Sequence, residues 1–239
     1  MVKAGGATLF AEPRFRICGD RSVMVEYGDG IDYEINRKVK QATALLTDRR
    51  LDGIKAVIPA YRSLTILYDP FLVDPESLRD QIVSLDEDKP EEPVQSSKIV
   101  KIPVCYGGEF GPDLNIVASC RSLSPDDVVA LHSGRSYYIF MVGFAPGFCY
   151  LGGLDERLHT PRLATPRTLI PAGSVGIAEN QTGMYPLASP GGWQIIGRTP
   201  LKLFAPERDN PFLYQAGDTI RFVPVSGEKY RKIYDEEHR

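Results

Sequence analysis

Two Pro-Arg dipeptides, Pro161-Arg162 and Pro166-Arg167, set two guanidinium groups five residues apart in a segment too rich in proline for a helix. The planar fork of a guanidinium matches a carboxylate or a phosphate group. The same side chains could instead pair with surface acids or stack on rings. Rings are close at hand, because Phe144, Phe148, Tyr150, Tyr185 and Trp193 provide enough flat apolar surface to line a pocket. Each of these aromatics, taken alone, also suits a core position. His132 lies near the end of a predicted helix, where it could serve as a general acid or base, or could simply answer the helix dipole. Cys149 has no charged or histidine neighbour in sequence to lower its thiol pKa, which argues against a nucleophile.

Other chemistries lose their support by absence. The chain contains no G-x-x-x-x-G-K-[ST] loop, no G-x-S-x-G elbow and no H-E-x-x-H pair, which speaks against P-loop, α/β-hydrolase and zincin readings. Gly107-Gly108-Glu109-Phe110-Gly111 is glycine-rich but has no lysine, and reads as a turn. His132, His159 and His238 are not paired at helical spacing, so no metal site is expected. Cys18, Cys105, Cys120 and Cys149 show no C-x-x-C spacing and read as reduced thiols. With 28 Lys and Arg against 31 Asp and Glu, the net charge of −3 leaves no basic excess for a nucleic-acid backbone. No apolar run reaches the roughly 20 residues of a membrane span, and Met1 to Phe10 lacks the pattern of an export signal, so a cytoplasmic protein is expected.

The elements that must position these residues fall into two halves. Asp86 to Ser97 reads DEDKPEEPVQSS, a linker composition, although a solvated loop within one domain has the same texture. Before it, Phe15 to Cys18 and Val23 to Val25 form a hairpin about Gly19-Asp20, and Ile31, Ile35, Val39, Ala42 and Leu46 trace one face of a helix. Strands at Ile54 to Ala60 and Ser63 to Asp69 follow, then a helix opened by Asp74-Pro75 with Leu78, Ile82 and Leu85 as its buried stripe. The result is an α+β N-terminal domain at residues 1–90. Most of the 19 prolines lie beyond Ser97 and cut residues 98–239 into short β-rich pieces that suit a barrel or a sandwich. Expected strands are Lys98 to Val104, Tyr137 to Val142, Thr168 to Pro171, Ser174 to Ala178, Trp193 to Gly197, Leu201 to Phe204 and Thr219 to Pro224. Helices are expected from about Pro112 to Cys120 and from Ser124-Pro125 onward. Stiff proline beside permissive glycine in the 142–199 region suits binding loops on a β scaffold, as it also suits barrel corners.

Four segments carry a resemblance: GFAPGFCYLGGL, TPRLATPR, IPAGSVGIAENQTGMYP and SPGGWQIIGRTP. Together with Val104 to Asp113 and the His132 helix, they resemble the family of the 5-oxoprolinase B subunit, also called the allophanate hydrolase subunit 1 or KipI family, over nearly the whole chain. The resemblance implies a mainly-β, cyclophilin-like C-terminal barrel, without implying prolyl isomerase activity. It implies work beside two partners, a carboxyltransferase-like C-type protein and a LamB/YcsF-like A-type protein, in a complex that uses ATP to open 5-oxoproline to glutamate. Relatives also serve in urea carboxylase or are described as inhibitors of a sensor histidine kinase; a chain of 239 residues without a carboxylase or biotin-carrier segment fits the freestanding oxoprolinase form better. The pocket that the resemblance implies consists of Phe144, Pro146, Gly147, Arg162, Arg167, Gln181, Tyr185, Gly191, Gly192 and Trp193, with His132 as candidate catalytic residue and a small lactam or carboxylate as substrate. Asn180, ahead of Gln181-Thr182-Gly183, departs from that pattern, which bears on the shape of the loop.

Overall fold

The computed structural model describes residues 7–87 and 98–239. It separates into two compact units, residues 1–96 and 97–239.

The first unit runs β1 (Leu9–Ile17), β2 (Ser22–Gly28), α1 (Tyr33–Arg49), β3 (Ile54–Pro59), β4 (Ser63–Tyr68) and α2 (Pro75–Glu87). The strands form an antiparallel sheet in the order β1-β2-β4-β3. Alternation along β2 and β4 turns Val23, Val25, Leu64 and Ile66 to one face, where they bury the Ile35, Val39, Ala42 and Leu46 stripe of α1. Ile31, expected at the head of that stripe, is 41% exposed. The reason is the cap: the Asp32 carboxylate accepts hydrogen bonds from the Glu34 and Ile35 amides, so the helix begins after Ile31. Asp74 caps α2 in the same way through the Ser77 amide at 2.8 Å, and Leu78 and Ile82 are buried. Helix α2 continues through Glu87, so the first two residues of the expected linker are helical. The rest of that segment, and the side chain of Leu85, lie outside the described residues.

The second unit contains β5 (Ile99–Tyr106), α3 (Leu114–Cys120), α4 (Pro125–Ser133), β6 (Ser136–Val142), β7 (Cys149–Gly152), β8 (Arg167–Ile170), β9 (Ser174–Ala178), β10 (Gln181–Met184), β11 (Ser189–Gly191), β12 (Gln194–Arg198), β13 (Thr219–Pro224) and α5 (Gly227–Glu237). Seven strands close into a barrel in the order β10-β7-β6-β13-β5-β12-β9, and β8 and β11 pair as a separate ribbon. Closure decides between barrel and sandwich. Helix α4 opens with the expected capping box, Ser124 and Asp127 bonding each other's amides. Leu201 to Phe204 is not a strand; Phe204 makes a single bridge to Phe212. Strands β7, β10 and β11 are only three or four residues long and carry too little alternation to stand out in sequence.

Inside the barrel, Leu151, Val175, Ile177, Met184, Ile139 and Phe222 meet in one core. Tyr150 on β7, Ala178 on β9 and Ile195 on β12, with Phe148, Tyr185 and Trp193 next to strand ends, lie outside that core. They form a second, smaller cluster on the barrel's outer wall. No helix among the described residues is long and apolar enough to cross a membrane.

Candidate functional site

The outer cluster is built on Phe148. Its ring meets Phe144, Tyr150, Tyr185 and Trp193 edge to face, with centroids 5.1 to 5.8 Å apart, a preferred geometry for aromatic quadrupoles. Trp193 needs room to lie against the strands, and two glycines provide it. A Cβ on Gly183 would come within 3.1 Å of the indole, and one on Gly176 within 3.2 Å of the Trp193 Cβ. Gly191 likewise admits Tyr185, since a Cβ there would sit 2.5 Å from its hydroxyl oxygen. Gly147 has φ +82° and its carbonyl accepts a hydrogen bond from the Tyr214 hydroxyl at 2.7 Å, which fixes the turn that carries Phe148. Phe144, at φ +67° and 79% exposed, stands at the open edge with exposed Pro146 beside it. A non-glycine residue held in the left-handed region is a strained position.

Of the two arginines, Arg162 belongs to this cluster. It is exposed, and its guanidinium lies 5.9 Å from the Trp193 ring centroid. Its charge also reaches both phenols: burial raises the pKa of Tyr150 and of Tyr185, and Arg162 opposes that shift in each. The arrangement is an apolar wall with two hydroxyls and an exposed cation at its edge, which suits a small, flat molecule bearing a carboxylate.

Arg167, the other arginine expected in the pocket, is held by a carboxylate. Its two terminal nitrogens donate to the two oxygens of Asp113 at 2.9 and 2.7 Å. Asp113 is 2% exposed and also accepts from the Ile195 amide at 2.6 Å. The pair ties the β8–β11 ribbon to β12 and so braces the Trp193 wall. Gly192 contributes through its backbone, its carbonyl accepting from the Leu163 amide at 2.7 Å and holding the Pro-Arg segment against the barrel. Gln181 pairs with Ala178 at the tip of the β9–β10 hairpin, on the same outer face. Sequence reasoning misses Asp113, which lies 54 residues from its arginine. Phe148 and Tyr150, expected from sequence among the aromatics able to line a pocket, lie in the cluster.

His132, the candidate catalytic residue, stands apart from the aromatic cluster. Helix α4 packs it into the barrel core at 0% exposure, stacked 4.5 Å from Phe222. Both ring nitrogens are engaged at 2.8 Å, Nδ1 with the Tyr106 hydroxyl and Nε2 with Thr182 Oγ1. Thr182 donates its own proton to the Gly176 carbonyl, so Nε2 carries the hydrogen and Nδ1 accepts from Tyr106. Burial lowers the imidazole pKa to about 3. The unfolded chain takes up this proton near pH 6.5. Stability from neutral His132 is therefore complete above pH 6.5 and lost as the pH falls toward 3. Unfolding free energy measured between pH 6.5 and 4 should drop by about 1.4 kcal/mol per pH unit more in the wild type than in His132→Gln. Equal slopes would refute this assignment. Burial also pushes the Cys149 thiol up to about 12, leaving no thiolate for nucleophilic attack. Among the described residues no group of three His, Cys, Asp or Glu is placed to hold a metal ion.

A closed barrel with a braced aromatic wall on its outer face is the setting in which relatives can be compared. The carboxyltransferase domain, subdomain C and D, matches residues 13–214, and the chain belongs to that family. Within it, the chain is 43% identical over 228 residues to the 5-oxoprolinase B subunit of Bacillus subtilis (strain 168), covering 91% of this chain and 95% of that protein. It is 44% identical over 216 residues to the 5-oxoprolinase B subunit of Escherichia coli O157:H7, covering 88% and 95%. The crystal structure of TTHA0988 superposes with a TM-score of 0.77 at 36% identity, covering 87% of this chain and 40% of that one. Urea amidolyase of Lachancea kluyveri is more distant, 28% identical over 255 residues, and there the match spans 14% of the longer protein.

Proposed function

We propose that this chain is the B subunit of a 5-oxoprolinase that uses ATP to open 5-oxoproline to glutamate, acting with a carboxyltransferase-like C-type partner and a LamB/YcsF-like A-type partner. The observation that carries the reading is Arg162 set over Trp193 beside Tyr150 and Tyr185, in a chain so similar to proteins of that name. 5-Oxoproline is a small flat lactam with one carboxylate. Its ring packs against Phe148 and Trp193, and Arg162 holds the carboxylate. Amide resonance makes the lactam carbonyl a poor electrophile; transfer of the γ-phosphoryl group of ATP to its oxygen releases ADP and leaves an imidate phosphate, to whose carbon water adds, after which phosphate departs and the ring C–N bond breaks to give glutamate. In this reading backbone amides of the glycine-rich loops hold the negatively charged phosphoryl oxygens during transfer and release. In this reading residues 1–90 and 98–239 are separate domains, the second of the cyclophilin-like kind, and the complex is cytoplasmic.

Reconstitution tests the proposal. The purified chain is mixed with its C- and A-type partners, and ATP hydrolysis is followed with and without 5-oxoproline. Turnover is expected only when all three proteins and 5-oxoproline are present. Turnover with urea in place of 5-oxoproline would move the assignment toward the chemistry named in the urea amidolyase relative, and robust turnover by the chain alone would remove the need for partners.

A further inference from the structure

On the outer wall of the barrel, beside the Tyr185 edge of the aromatic cluster, a cation and a hydroxyl lie in one cross-strand row, each with one buried polar atom that has no hydrogen-bond partner. The register of β9 with β12 sets Ser174 opposite Arg198, and that of β12 with β5 sets Arg198 opposite Cys105. Cross-strand partners share a face, so the three side chains form one row. Ser174 is 0% exposed and its Oγ has no partner; the Nε of Arg198 is enclosed and has none either. Arg198 also hydrogen-bonds the Tyr230 hydroxyl of α5, which packs over the row. No carboxylate among the described residues pairs with this guanidinium. Glu109, whose charge reaches Cys105, pairs with Arg231 at 3.1 Å. Buried polar atoms in folded proteins are nearly always satisfied, and exceptions mark strain, a functional site, or a bound water or ion.

We infer that Arg198 and Ser174 form a binding site for a small oxyanion of the phosphate or carboxylate class. Two donors, an Nε–H and a hydroxyl, stand adjacent beside a fixed positive charge with no countercharge. An anionic oxygen answers both requirements at once, accepting the two hydrogen bonds and neutralising the guanidinium. The site uses residues other than Arg162 and does not rest on the function proposed above.

The test uses the full chain. Thermal unfolding is followed while sodium phosphate, or separately sodium acetate, is titrated against sodium chloride at matched ionic strength, and dissociation constants are measured by calorimetry. The melting temperature is expected to rise with the logarithm of the concentration of the bound anion, beyond the chloride control. The anion that produces the rise identifies the ligand class. Arg198→Lys and Ser174→Ala should each weaken the dissociation constant by about tenfold or more. Ser174→Ala removes a single buried oxygen and is the variant that decides if Arg198→Lys fails to fold. The inference is overturned if neither anion stabilises the wild type beyond chloride, as for a site that holds only water. It is equally overturned if Ser174→Ala binds the anion as tightly as the wild type.

Discussion

Asp113→Ala is expected to lower the stability of the chain by about 3 kcal/mol, because it leaves the Arg167 guanidinium and the Ile195 amide without their shared acceptor. For a protein of this size that is a fall in melting temperature of about 6–12 °C. Arg167→Lys keeps the charge and loses the two-pronged geometry, so its loss should be smaller, about 1 kcal/mol. The two substitutions should be non-additive, since both act on one pair. Differential scanning calorimetry of the two single variants and the double variant measures this directly. Additive losses, or an Asp113→Ala protein as stable as the wild type, would show that the pair does not brace the ribbon. Turnover per folded complex should change little in Arg167→Lys, which separates a bracing arginine from one that holds substrate.

Arg162→Lys should give the opposite result. Activity of the reconstituted complex is expected to fall by about ten- to a hundredfold, equivalent to roughly 1.4–2.7 kcal/mol of transition-state stabilisation. An ammonium keeps the charge but cannot present two parallel donors to a carboxylate. The melting temperature should hardly move, because an exposed cation over a ring contributes only about 0.5–1 kcal/mol. Unchanged turnover would remove Arg162 from the site, and a large loss of stability would make it a structural residue like Arg167.

These contrasting outcomes also mark the limit of what spacing in a sequence can reveal. Both arginines sit in the same Pro-Arg context, and nothing local distinguishes them. What separates them is Asp113, brought to Arg167 by the packing of the α3 start against β12. Local signals are legible where one element carries its own reason to form. Ile35 to Leu46 repeat with the helical period, Asp74 and Ser124 cap their helices, and the proline- and glycine-cut pieces after Ser97 are too short for anything but a small barrel or sandwich. The α5 helix escapes sequence reasoning because it is strongly polar, with Tyr230 its only buried side chain. The helix of His132 is legible from its cap, but the sequence holds no sign that this helix turns its histidine inward, toward Tyr106 and Thr182 on strands far away along the chain.

The seat that Gly176 and Gly183 leave for the indole gives the site an optical handle. Trp193 is the only tryptophan of the chain, which also contains 12 tyrosines. Its ring lies 5.8 Å from Phe148 and 6.2 Å from Tyr185, with the Arg162 cation above it. Emission excited at the red edge of protein absorption therefore comes from this one position, and its wavelength and intensity follow the local field and the access of solvent to the aromatic wall. A ligand that displaces Arg162 or covers the ring is read without a label in the isolated chain.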